Sequence, residues 1–138
     1  MTLYLADTSA WHRSTHAEVA AAWERHLNGN ALATCSQVRL EILYSARNLQ
    51  AYEQLAEELE ALHQLPCGAD EFRRALQVQH ELARRGDLHH RSVKIADLII
   101  AASAEAAGAV LWHYDQDYDG VAAVTGQPTE WIAARGTL

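Results

Sequence analysis

The sequence predicts an α/β domain with a mostly parallel central sheet flanked by helices. Short apolar runs that end in acids or small polar residues alternate with longer stretches of helical spacing, in the order strand, helices, strand, helices, strand, helix, strand. No repeat, low-complexity tract or linker interrupts that order. Strands separated by helical stretches pair in parallel, because each return to the sheet crosses one of its faces and covers it. The 138 residues are expected to form a single domain, 1–138, long enough to bury about two-thirds of the unfolded surface without staples.

The elements follow in chain order. "TLYLAD", Thr2 to Asp7, is a short buried strand that ends in an acid. "SAWHRSTHAEVAAAWERHLNG" is helical, broken near Ser14 or Thr15, restarted by a polar cap and stopped around Asn28 and Gly29. "ALATC" is a second strand, after which Ser36 is expected to cap a helix carrying Val38, Glu41, Ile42, Tyr44 and Ser45. Tyr52, Leu55, Ala56, Leu59 and Leu62 keep helical spacing, as do Phe72, Ala75, Leu76, Leu82 and Ala83, with Gly86 as the stop. "LHQLPC" between these helices allows a short strand. Ser92 is expected to cap the helix through "VKIADLIIAASAEAAG", whose face of Ile95, Ile99, Ala102, Ser103 and Ala106 turns small along its length. Gly108 ends it, "AVLWHY" is the next strand, and a short helix is expected from near Gly120 with Asp119 as its N-cap.

Composition narrows the function classes. A net charge of −7 speaks against binding nucleic acid through a general basic surface, since phosphate contacts come mainly from Lys and Arg. That argument weakens if the acids hold divalent cations, because the site then attracts phosphate. The remaining positive charge clusters at Arg84, Arg85, Arg91 and Lys94. No apolar run approaches the ~20 residues that cross a bilayer. The start, "MTLYLADTSAW", lacks a basic region and meets Asp7 early, so a signal peptide is not expected and the location should be cytoplasmic. In that compartment Cys35 and Cys67 are expected to stay reduced and to pack as small buried residues.

The acids pose the chemical question. In open parallel sheets, sites lie beyond the carboxyl ends of the strands. Asp7 and Asp115 fall at such ends, Glu41 lies in the helix after the second strand, and Asp97 lies in the first turns of the helix before "AVLWHY". Two isolated carboxylates about 4 Å apart repel by roughly 4 kcal/mol at an effective dielectric near 20, so converging acids would strain the fold unless a divalent cation reverses the sign. Each acid also has a plain structural reading: Asp7 as a helix cap, Glu41 as a solvated face residue, and Asp119 as the cap already named. Asp97 resists one, because Ile95, Ala96, Leu98, Ile99 and Ile100 surround it and a charge among them needs a partner. His113 beside the site is read as a structural histidine at a strand end in preference to an acid, and Trp11 and Trp112 as core or interface packing residues in preference to platforms that stack on bases.

"LYLADTSA", "SQVRLEILYSAR", "KIADLIIAASAEAAG" and "VLWHYDQDYDGVAAVTGQPTEWI" resemble, in order and over nearly the whole chain, the four acidic segments of the PIN-domain ribonucleases, and among them the VapC toxins of bacterial toxin–antitoxin pairs. The resemblance implies a PIN-like fold and a Mg²⁺- or Mn²⁺-dependent endoribonuclease held inactive by a cognate antitoxin. It places the family's acids on Asp7, Glu41, Asp97 and Asp115, and the small polar position on Ser9; Asp117, two residues on, could share the fourth role. Asp7 and Asp97 would be the principal metal ligands, with Glu41 and Asp115 completing the sphere, partly through water. Arg84, Arg85, Arg91 and Lys94 are the candidate phosphate track, with His12, Arg13 and His16 second.

Leu40, Leu43 and Tyr44, with Tyr52, Leu55 and Leu59, offer more apolar surface than one small core requires. A homodimer that also takes an antitoxin helix in an adjacent groove is therefore expected, as the family resemblance implies. Two alternatives stay open: a receiver-like, Mg-binding signalling domain, and a catalytically inactive PIN-like RNA-binding module. The first would want a paired acid early in the chain and a late lysine, whereas the only lysine is Lys94. The second should lack one of the four acids, and all four are present.

Overall fold

A computed structural model describes residues 1–138. Strand β1 (Tyr4–Ala6) leads into a one-turn helix α1 (Thr8–Trp11) and then α2 (Ala17–Asn28). Strand β2 (Leu32–Thr34) is followed by α3 (Ser36–Tyr44) and α4 (Leu49–Glu60), and β3 (His63–Gln64) by α5 (Ala69–Arg84). A 3-10 turn (His89–Arg91) precedes α6 (Ile95–Ala106), and β4 (Val110–His113), α7 (Asp117–Thr125) and β5 (Thr129–Trp131) complete the chain.

All four strand pairings are parallel, in the order β3-β2-β1-β4-β5. That order removes the receiver-like alternative, whose sheet runs 2-1-3-4-5. Successive residues of the central strands face opposite sides. Leu5 and Leu111 enter the larger core with Val38, Leu59, Val78, Leu82 and Ile100, whereas Ala6 and Trp112 enter a smaller one with Ala10, Val19, Leu32 and Ile132. In the smaller core Trp112 stacks on Trp23 at 5.5 Å, and Trp11 meets Trp23 edge-on at 5.1 Å, in keeping with the packing reading of Trp11 and Trp112. No helix is long and apolar enough to cross a membrane.

Several expectations are corrected. Strand β5 is unannounced in the sequence: "TEW" is short, polar and only partly buried. Helix α7 begins at Asp117 rather than near Gly120, and Gln116, not Asp119, is its N-cap. Ser36 and Ser92 do not cap the helices assigned to them, because Cys35 and Lys94 hold those positions. Both cysteines are free, but only Cys35 is fully buried.

Candidate metal centre

The register of the central strands builds the site. Ala6 pairs with Trp112, so Asp7 leaves β1 where β4 is about to end, and its N–H donates to Trp112 O at 3.0 Å. The Asp7 carboxylate then serves two masters. Oδ2 accepts from the Ser9 N–H at 3.0 Å and from the Ser9 hydroxyl at 2.6 Å, which caps α1. Oδ1 accepts from the Tyr118 hydroxyl at 2.7 Å. The plain reading of Asp7 as a cap is therefore true and incomplete. Ser9 Oγ also accepts from the Tyr114 N–H at 2.9 Å, tying the loop after β4 to the same carboxylate.

Tyr118 was not foreseen as a site residue. Its side chain is fully buried, and its hydroxyl lies 3.1 Å from Asp97 Oδ1 as well as touching Asp7. One neutral group thus stands between two acids that are 90 residues apart in the chain. Burial, followed by the charges of Asp7 and Asp97, holds its phenol well above the ordinary tyrosine range, so it stays protonated and able to donate. The available signal was the spacing of Tyr118, Val121 and Val124, which is helical and puts Tyr118 on the inner face of α7.

Asp97 is only 7% exposed and its Oδ2 has no partner. Desolvation first, then the neighbouring Asp117, Asp7 and Asp115, pushes its carboxyl up to about 8, against the opposing pull of Tyr118. Carboxylate oxygens of Asp97, Asp115 and Asp117 lie within 4.8 Å of one another. The start of α7 holds two of them in place, because Asp115 Oδ1 accepts the Asp117 N–H at 2.9 Å. His113 supports the same turn: its Nδ1 accepts the Asp115 N–H at 3.1 Å, and burial lowers its pKa, so the ring is neutral. This matches the structural reading of His113.

Glu41 stands apart from the three-acid cluster. Thr8 Oγ1 donates to its Oε1 at 2.6 Å and Gln37 Nε2 to its Oε2 at 2.9 Å, which ties it to the residue next to Asp7. Asp119 accepts from Trp131 Nε1 at 3.1 Å, on the β5 side. Of the basic candidates, Lys94 reaches the acids, with Nζ 3.4 Å from Asp115 Oδ2. Arg84 pairs with Glu81, Arg85 donates to Ala123 O, and Arg91 closes the 3-10 turn. Arg13 donates to Ser9 O at 2.9 Å and lies over the Tyr114 ring, close to the centre.

Tyr118→Phe is expected to leave Asp7 Oδ1 and Asp97 Oδ1 without their shared donor. The cost should be about 1–3 kcal/mol in metal-free buffer, smaller once a cation is added. Thermal unfolding in EDTA and in Mg²⁺ checks this; equal loss in both buffers would mean that the hydroxyl does not serve the acids.

The sequence profile of the PIN domain matches residues 4–124. Ribonuclease VapC18 of Mycobacterium tuberculosis is 57% identical over 136 residues, covering 99% of both chains. Ribonuclease VapC51 of the same organism is 42% identical over 98% of this chain and 96% of its own. Among solved structures, the DNA-bound VapBC from Salmonella typhimurium shares the fold with a TM-score of 0.72 at 22% identity, over 96% of this chain and 100% of that one. VapBC-5 from Mycobacterium tuberculosis gives 0.59 at 25% identity, over 97% and 100%.

Proposed function

The chain belongs to the PIN-domain family, and from that premise we propose that it is a divalent-metal-dependent endoribonuclease acting as the toxin of a toxin–antitoxin pair in the cytoplasm. The observation that carries the reading is the convergence of Asp97, Asp115 and Asp117 beside the Asp7–Tyr118–Asp97 hydrogen-bond chain, at the carboxyl edge of a parallel sheet. The ribonuclease names of relatives at 57% and 42% identity support it.

These residues fit a hard divalent cation. The donors are all carboxylate oxygens, as Mg²⁺ or Mn²⁺ prefers, and the buried, unpartnered Asp97 Oδ2 is an oxygen in want of a positive neighbour. Asp7, Asp97, Asp115 and Asp117 would hold the ion, with Glu41 at the flank. Bound there, it would supply positive charge against the scissile phosphate and the Lewis acidity that makes water a nucleophile near neutral pH. The chain's own part is positional. Ser9 and Tyr118 fix the two oxygens of Asp7, and Thr8 and Gln37 aim Glu41, which can accept a proton from an attacking water. Incubating purified protein with single-stranded RNA in Mg²⁺, Mn²⁺ or EDTA tests this. Internal cleavage confined to the metal-containing samples is expected; RNA binding without cleavage in any of them would select the inactive module instead.

The partner reading has its own support. A 560 Å³ groove lined by Trp11, Trp23, Leu27, Leu32 and Leu62 opens between α2 and the end of α4, and it suits the apolar helix of an antitoxin. Elsewhere Leu40 and Tyr44 on α3, Leu49 on α4, and Phe72 and Leu76 on α5 are exposed, whereas Leu43 and Leu59 are spent in the core. A second copy of the chain covering these helices is expected. Sedimentation at high micromolar concentration should show a dimer, and Tyr44→Glu should shift it at least tenfold toward monomer; a strict monomer in the parent protein would reject this surface.

A further inference from the structure

Lys94 is the only lysine in the chain, and it caps α6 three residues before Asp97. Its backbone N–H donates to Asp117 Oδ2 at 3.2 Å. Its ammonium lies 3.4 Å from Asp115 Oδ2 and 3.6 Å from Asp117 Oδ2. The residue is thus anchored at one end and loose at the other, since the side chain is 72% exposed. An exposed ion pair of this kind is weak. A doubly charged ion that takes the same carboxylates would displace the ammonium, which would then stand at the rim with no acid to neutralise. Across the turn, Arg135 donates to Gln116 Oε1 and lines the same 240 Å³ hollow as Asp117 and Ser92.

We propose that Lys94 works in two positions: it neutralises the acids while no divalent ion is bound, and it moves to a backbone phosphate of single-stranded RNA when one is. This rests on the metal-centre reading above and adds to it a coupling, because the ion that assembles the centre also frees the cation that holds the substrate. An RNA chain would then meet Lys94 as a phosphate contact only on the loaded protein.

Lys94→Met keeps the length of the side chain and removes its charge; Lys94→Arg keeps the charge. Calorimetric titration with Mn²⁺ alone should show Lys94→Met binding the ion about threefold more tightly than the parent, as expected for loss of a weak tethered competitor. Binding of a short single-stranded RNA, with Ca²⁺ as the probe ion to hold cleavage back, should weaken about three- to tenfold in Lys94→Met. Its slope of log affinity against log salt should shrink by about 0.7, the value for one lost contact to a single strand. Lys94→Arg should restore both. In EDTA the RNA defect of Lys94→Met should be clearly smaller than in Ca²⁺, since the ammonium is then held by the acids and contributes only its general charge. Unchanged or weaker Mn²⁺ affinity in Lys94→Met, or an RNA defect of the same size in EDTA, overturns the two-position proposal. If the parent itself takes up no Mn²⁺, the metal-centre reading fails and this proposal with it; if the parent binds Mn²⁺ and Lys94→Met merely matches it, the proposal alone fails.

Discussion

Asp97→Asn is expected to abolish metal-dependent RNA cleavage, to below about 1% of the parent, while leaving the metal-free protein as stable as the parent or more so. Loss of a metal ligand should exceed the 10- to 100-fold cost typical of changes one layer further out. The stability half of the expectation comes from burial. The Asp97 carboxyl is raised to about 8 from an ordinary 3.8, first by desolvation and then by Asp117, Asp7 and Asp115. An acid whose folded pKa is raised favours folding when protonated. Its contribution is full below about pH 4, declines as the pH rises, and is gone above about pH 8. Metal-free parent protein should therefore lose thermal stability between pH 5 and pH 8, and Asp97→Asn, which has no charge to bury, should lose less. Added Mg²⁺ should stabilise the parent through binding to the folded state, and not the variant. Unfolding scans at both pH values, with EDTA and with Mg²⁺, read all of this. Retained cleavage by the purified variant would remove Asp97 from the centre.

The same residue shows why part of the site was legible in the sequence. A carboxylate between Ala96 and Leu98 in an apolar helix is a local contradiction, and local contradictions can be read without a structure. The parallel sheet was legible for a related reason, since β1, β2 and β4 are short apolar runs between helical stretches with clear stops. Strand β5 was not, because the three residues Thr129 to Trp131 are too few to show an alternating pattern. Tyr118 was missed because the partners of its hydroxyl are 111 and 21 residues away, and nothing nearby marks a tyrosine as a donor to acids. The start of α7 was misplaced for an instructive reason. Alternate aspartates look like a solvated turn, yet Asp115 accepts the Asp117 N–H and opens the helix there.

That shift of three residues decides how Asp115, Asp117 and Asp119 should rank. With the helix starting at Asp117, the first two acids face Asp97, and the third projects toward β5, where Trp131 donates to it. Asp115 carries two duties, as a member of the three-acid cluster and as the acceptor that opens α7. Asp115→Ala should therefore lose cleavage by at least about 100-fold and about 1 kcal/mol of stability with the lost acceptor. Asp117→Ala should lose cleavage almost as severely, because Asp117 is nearly as enclosed as Asp97, its side chain 11% exposed. Its cost in stability should be smaller, since the Lys94 N–H loses a partner while the exposed Lys94 ammonium keeps Asp115. Asp119→Ala removes one hydrogen bond from the Trp131 indole, worth about 0.5–1.5 kcal/mol, and should leave Mg²⁺-dependent turnover within about twofold of the parent, since its carboxylate bonds to Trp131 and lies outside the three-acid cluster. Turnover and unfolding midpoints for the three variants separate the roles. An inactive Asp119→Ala would move the centre to the β5 side of α7, and an active Asp115→Ala would leave Asp7, Asp97 and Asp117 as the working set.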